Sequence, residues 1–108
     1  MNVRDYLSIP YILQARPVER DGRWTRRLRY PELGAFAAEH EDVEQALLEL
    51  ERLRIGEVMR RLRAGDPPPV PRPPLATTDQ GWWARHLGLG ALVEGQLDRP
   101  AEELAGEQ

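Results

Sequence analysis

The sequence predicts an α+β fold: a three-stranded antiparallel sheet with one long helix, followed by a proline-rich strap and short helices. Three observations predict it. Asp21-Gly22 separates two strand-like runs, and glycine supplies the positive φ that a tight hairpin turn requires. A stretch of helical apolar period opens at Asp42 and stops at Gly65. Six prolines within residues 67–74 then forbid any continuation of that helix.

Each element follows from local chemistry. Tyr11, Leu13 and Ala15 alternate at period two and predict a first strand over residues 11–18, with Pro10 and Pro17 near its ends. A missing N–H is tolerated at a sheet edge, so this is read as an edge strand. After the Asp21-Gly22 turn, Trp24, Arg26, Leu28 and Tyr30 alternate with Thr25, Arg27 and Arg29, giving one largely apolar and one basic face. The bend Pro31-Glu32-Leu33-Gly34 leads to a short third strand over residues 35–39. Asp42 is the expected N-cap, with Gln45 in the capping-box position and Glu44 at the positive end of the helix dipole. Arg60, Arg61 and Arg63 complement the other end, where Gly65 is the natural terminator.

The apolar face of this helix is too wide for one sheet. Val43, Ala46, Leu47, Leu50, Leu53 and Val58 form a first stripe, and Leu48, Ile55, Met59 and Leu62 extend it sideways beyond the ~100° that one sheet covers. A small fold is marginal alone, so these four residues are dimer-interface candidates, a C2 pair being the commonest remedy. The alternative is that the chain's own C-terminal segment covers them. Residues 67–74 should be extended, as a stiff strap or as a ligand for a polyproline-binding domain.

The sequence divides in composition near Leu75. The first segment, 1–75, is close to neutral; residues 76–108 hold two arginines against six acids and are expected to form a separate, acidic extension with one or two short helices. Trp82 and Trp83 within it are packing anchors or a partner-binding hot spot.

Composition excludes several classes of function. The 108 residues are 41% apolar and 31% charged, with net charge −3, which argues against a dedicated nucleic-acid or anionic-membrane binder. All fifteen basic residues are arginine. There is no cysteine, hence no disulfide and no thiolate metal site. No apolar run reaches the ~20 residues of a membrane span, and residues 1–5 do not resemble a secretory leader, so a cytoplasmic location is expected. His40 stands without a second histidine four residues on, Ser8 lacks a His–Asp context, and no phosphate-cradling glycine loop is present. No catalytic residue, cofactor or metal is therefore expected, and the chain is read as a binding protein. Arg26, Arg27 and Arg29 are either a solvated strand face or a strip that touches phosphate or RNA.

The order of these features resembles the HicB-like antitoxins. Asp21-Gly22, Pro31-Glu32-Leu33, an acid-rich helix start before Glu44-Gln45-Ala46, and Gly65 followed by Pro-x-Pro match that family's succession over residues 11–74. Gly34-Ala35-Phe36, His40 and Asp42 depart from it. The resemblance implies a partial RNase H-like β-β-β-α unit, homo-oligomerisation, and binding of a HicA-type toxin, a small basic RNA-cleaving protein, through contacts such as Arg26, Arg27, Arg29, Trp82 and Trp83. An orphan structural oligomer without a toxin is the alternative. The acidic tail argues against the DNA binding seen in many relatives.

Overall fold

A computed structural model of the chain describes residues 1–107; Gln108, the last residue of the expected tail segment, lies outside the described residues. Strands β1 (Gln14–Arg20), β2 (Arg23–Arg29) and β3 (Ala37–His40) form one antiparallel sheet in the order β1-β2-β3. Arg20 pairs with Arg23, leaving Asp21-Gly22 as a two-residue loop with φ of 53° and 80°, the backbone of a type I′ turn. The fold class read from sequence is the one observed.

The first strand begins later than expected. Tyr11 is buried ahead of β1 and Leu13 is exposed. Side chains fix the backbone there instead of a ladder. The Ile12 N–H donates to the Glu32 carboxylate at 2.8 Å, and the Tyr11 hydroxyl donates to the Pro69 carbonyl at 2.7 Å. Arg72 closes the same corner, donating to Glu32 at 2.8 and 3.0 Å and to the Pro10 carbonyl at 3.2 Å. The proline-rich segment is thus strapped across the sheet's end.

Helix α1 (Val3–Leu7) was not anticipated, though Asn2 and Asp5 make a reciprocal capping box at 2.8 and 2.9 Å. Helix α2 (Val43–Ala64) begins and ends where expected. The Asp42 carboxylate accepts the Glu44 N–H at 2.9 Å, and His40 Nδ1, rather than Gln45, accepts the Asp42 N–H at 2.9 Å. At the far end Gly65 has φ 73°, and the N–H groups of Gly65 and Asp66 reach the Leu62 and Arg61 carbonyls, which is a Schellman closure.

One core serves the whole chain. Leu28, Tyr30, Leu33 and Ala38 are buried with Ala46 and Leu50, where α2 lies across β2 and β3. On the other side of α2, Ile55 and Met59 are 0% exposed and Leu62 is buried. Helices α3 (Gln80–His86) and α4 (Gly90–Val93) and a 3-10 turn (Ala101–Leu104) contribute Ala84, Leu87, Val93, Ala101 and Leu104 to the same cluster. The Ile55, Met59 and Leu62 stripe therefore needs no second copy, because the C-terminal segment covers it; only Leu48 stays half-buried. Nor is that segment a separate unit. The Val3 and Arg4 N–H groups donate to the Arg99 and Leu97 carbonyls, and the Ala101 N–H returns to the Met1 carbonyl.

Candidate functional site

The alternation of β2 sends its arginines to opposite faces. Leu28 and Tyr30 point into the core, so Arg26, two residues away, lies on the helix side, opposite Pro17 and His40. Arg27 and Arg29 face away from α2, beside Arg16 and Gln14, their register partners on β1. Arg26, Arg27 and Arg29 thus do not form one patch.

The β1–β2 hairpin overhangs the helix layer. Helix α2 packs on β3 and β2, which leaves β1 exposed along nearly its whole length and one of its edges unpaired. Pro17 interrupts that edge, since a proline inside a strand must aim its missing N–H away from the partner strand. Trp24 is 59% exposed near the hairpin tip, and Leu13, Val43 and Leu47 are also exposed. An uncovered sheet edge with an apolar border is a template for another chain.

The tryptophans belong to a different region. Helix α3 stacks Trp82, Trp83 and His86 nearly parallel, with ring centroids 5.1–6.2 Å apart. Trp82 is 54% exposed, whereas Trp83 is half-buried and donates its indole N–H to Glu51 on α2 at 2.9 Å. Because α2 lies on the face opposite Arg27 and Arg29, the structure does not bring the tryptophans together with those arginines.

Glu51 is the centre of a buried network that the sequence did not announce. Its carboxylate accepts from Arg54 Nε at 2.7 Å and Nη2 at 3.1 Å, from the Tyr30 hydroxyl at 2.7 Å and from Trp83. Arg54, 5% exposed, also donates to the Leu7 carbonyl at 2.7 Å and to Gln80 at 3.0 Å. Burial alone would push the Glu51 carboxyl up, but the Arg54 charge and these hydrogen bonds outweigh it and hold the group below its usual range. Burial raises both Tyr30 and Tyr11, Tyr11 to about 12. The signal in the sequence was Arg54 itself, which projects between Leu50 and Val58 on the apolar side of the helix. These groups border a cleft of about 240 Å³ with Ser8 and Thr78. The Ser8 hydroxyl donates to the Arg4 carbonyl at 2.8 Å and accepts from Thr78, so its proton is engaged by a backbone carbonyl.

Among the described residues no group of three or more acidic or histidine side chains is placed to hold a metal ion. No helix among them is long and apolar enough to cross a membrane. Comparison with family models, with curated proteins and with solved structures finds no match.

Proposed function

We propose that the chain is a protein-binding module that acts by covering a partner, in the manner its resemblance to HicB-like antitoxins implies, the partner being a small RNA-cleaving toxin. One observation supports this above the others: β1 stands outside the helix layer with an unpaired edge, beside exposed Trp24. Strand addition along the residues on either side of Pro17 gives affinity through main-chain hydrogen bonds, and the flanking side chains give specificity.

Charge decides which side of the hairpin a basic toxin takes. Arg16, Arg27 and Arg29 on the open face would repel it. The helix side offers Trp24 beside its register partner Glu19. We therefore place the contact there, with Arg26 at its margin and Arg27 and Arg29 outside it. Trp24 is the expected hot spot, as the large exposed aromatic beside the uncovered strand.

The test is direct binding between the purified chain and the small basic protein encoded beside it. Trp24→Ala should weaken the complex about 30-fold or more, and Trp82→Ala much less. Absence of any complex with that protein would sink the antitoxin reading. A free edge also suits a second copy of the chain, so sedimentation as a homo-oligomer that Trp24→Ala dissolves would favour the orphan reading instead.

A further inference from the structure

The open face of the sheet breaks a rule of strand pairing. Arg16 and Arg27 are direct cross-strand partners, as are Arg20 and Arg23, and like charges placed opposite each other destabilise a sheet. The acids nearby do not cancel this. Glu39 is taken by Arg20 at 2.6 and 3.0 Å, and Arg27 comes no closer to it than 4.0 Å. Glu41, past the end of β3, is engaged by Arg23 at 3.3 Å. Arg16 and Arg29 make no ion pair among the described residues, and Arg29 Nε is buried without any hydrogen-bond partner. A chain of net charge −3 thus leaves Arg16 and Arg29 without an ion pair among the described residues on one face, and Arg27 with only a long one. A local conflict of this kind, with no structural gain beside it, is the mark of a functional position.

We propose that Arg16, Arg27, Arg29 and Gln14 form a binding site for a phosphate group. The four line a concavity of about 250 Å³. Gln14 is the register partner of Arg29, and Arg16 of Arg27. The two pairs stand two residues apart on one face, ~7 Å along the strands. Converging guanidinium forks suit a tetrahedral dianion, which accepts hydrogen bonds from several directions, better than a carboxylate that one fork satisfies. The concavity is smaller than the ~300–1,000 Å³ of a pocket enclosing a drug-sized ligand. The residues around it on this face, Val18, Thr25, Ala37 and Glu39, include no aromatic to stack a base. Recognition is therefore of the phosphate itself, free or borne by a larger molecule. The site lies on the opposite face from the proposed protein contact and does not depend on it.

The experiment is calorimetric titration of inorganic phosphate into the full chain at neutral pH and low salt, against sodium chloride of equal ionic strength. Saturable binding at one phosphate per chain is expected. Arg27→Gln and Arg29→Gln should each weaken it about tenfold or more. Arg26→Gln, the same charge change on the other face, should leave it unaltered. A nucleoside monophosphate that binds while its nucleoside does not would identify an esterified phosphate as a source, and equal binding of inorganic phosphate would identify the free ion. Without phosphate, Arg16→Thr should raise the melting temperature, because it relieves the Arg16–Arg27 repulsion. The proposal is overturned if phosphate gives no signal beyond chloride, or if Arg27→Gln and Arg29→Gln bind as wild type. It is equally overturned if only a long oligoribonucleotide binds and Arg26→Gln weakens it as much, since that is diffuse attraction without a site.

Discussion

Replacing Glu51 by alanine tests whether the buried network holds the sheet, α2 and the C-terminal segment together. The substitution removes the acceptor of four hydrogen bonds, two from Arg54 and one each from Tyr30 and Trp83. Tyr30 borders the cleft and Trp83 is only half-buried, so water compensates there in part. Arg54 is not, since its side chain is almost wholly buried. Leaving such a charge without its partner costs ~3–5 kcal/mol, a large share of the ~5–15 kcal/mol of a typical domain. At ~4–8 °C per kcal/mol the midpoint should fall by at least ~12 °C. Urea unfolding followed by far-UV circular dichroism measures the cost. A double-mutant cycle of Glu51→Gln with Arg54→Met isolates the pairing, with a coupling of ~1–3 kcal/mol expected. The sign with pH follows from the lowered Glu51 carboxyl. Its contribution is present above the unfolded value and is lost as pH falls through the folded one, so wild type should weaken below pH ~4 and Glu51→Gln should weaken less there. A Glu51→Ala cost under ~1 kcal/mol, or an additive cycle within ~0.5 kcal/mol, would refute the reasoning.

Alkali should act through the tyrosines. Burial raises Tyr11 to about 12 and also raises Tyr30, so the stability they contribute is complete below pH ~10 and declines as pH rises above it; Tyr11→Phe should flatten that decline in a pH series of melting curves. Gly65→Ala should cost ~1 kcal/mol, because φ of 73° at that position strains any residue with a Cβ. An unchanged midpoint in chemical denaturation would count against the closure of α2 described above.

The sequence was most legible where one residue type determines one conformation. Asp21-Gly22 fixed the hairpin, and Asp42 and Gly65 fixed both ends of α2, because caps and turns depend on chemistry a few residues away. The start of β1 was not legible. Tyr11 and Leu13 have a strand's period, but Glu32 and Pro69, distant in sequence, claim the Ile12 N–H and the Tyr11 hydroxyl. Helix α1 is five residues long, too short for periodicity to register, and its capping pair Asn2 and Asp5 was the only local sign. At the candidate sites the alternation of β2 already separated Arg26 from Arg27 and Arg29. The pairing of Arg16 with Arg27 needed the register, which the hairpin turn supplies once its two-residue length is known. The burial of Arg54 between α1, α2 and α3 could be seen only as an oddity of the helical projection.

The division at Leu75 offers the sharpest contrast between composition and packing. Charge balance changes there, and a chain ending at Leu75 would be a natural domain if composition set the boundary. Packing gives another answer. Such a truncation removes Ala84, Leu87, Val93, Ala101 and Leu104 from the core, bares Ile55, Met59 and Leu62, and strips α1 of the Leu97 and Arg99 carbonyls that hold its first turn. Each large apolar side chain left exposed forfeits ~1.5–3 kcal/mol, so losses at Ile55, Met59, Leu62 and α1 together are comparable to the ~5–15 kcal/mol that a typical domain holds in reserve. Residues 1–75 should therefore be unfolded or aggregated, without a cooperative melt in circular dichroism. The opposite outcome is equally definite. A truncated chain that melts cooperatively and sediments as a dimer, which Met59→Glu dissociates, would return Leu48, Ile55, Met59 and Leu62 to an interface between copies. The C-terminal segment would then be a cover that competes with the dimer mate for α2.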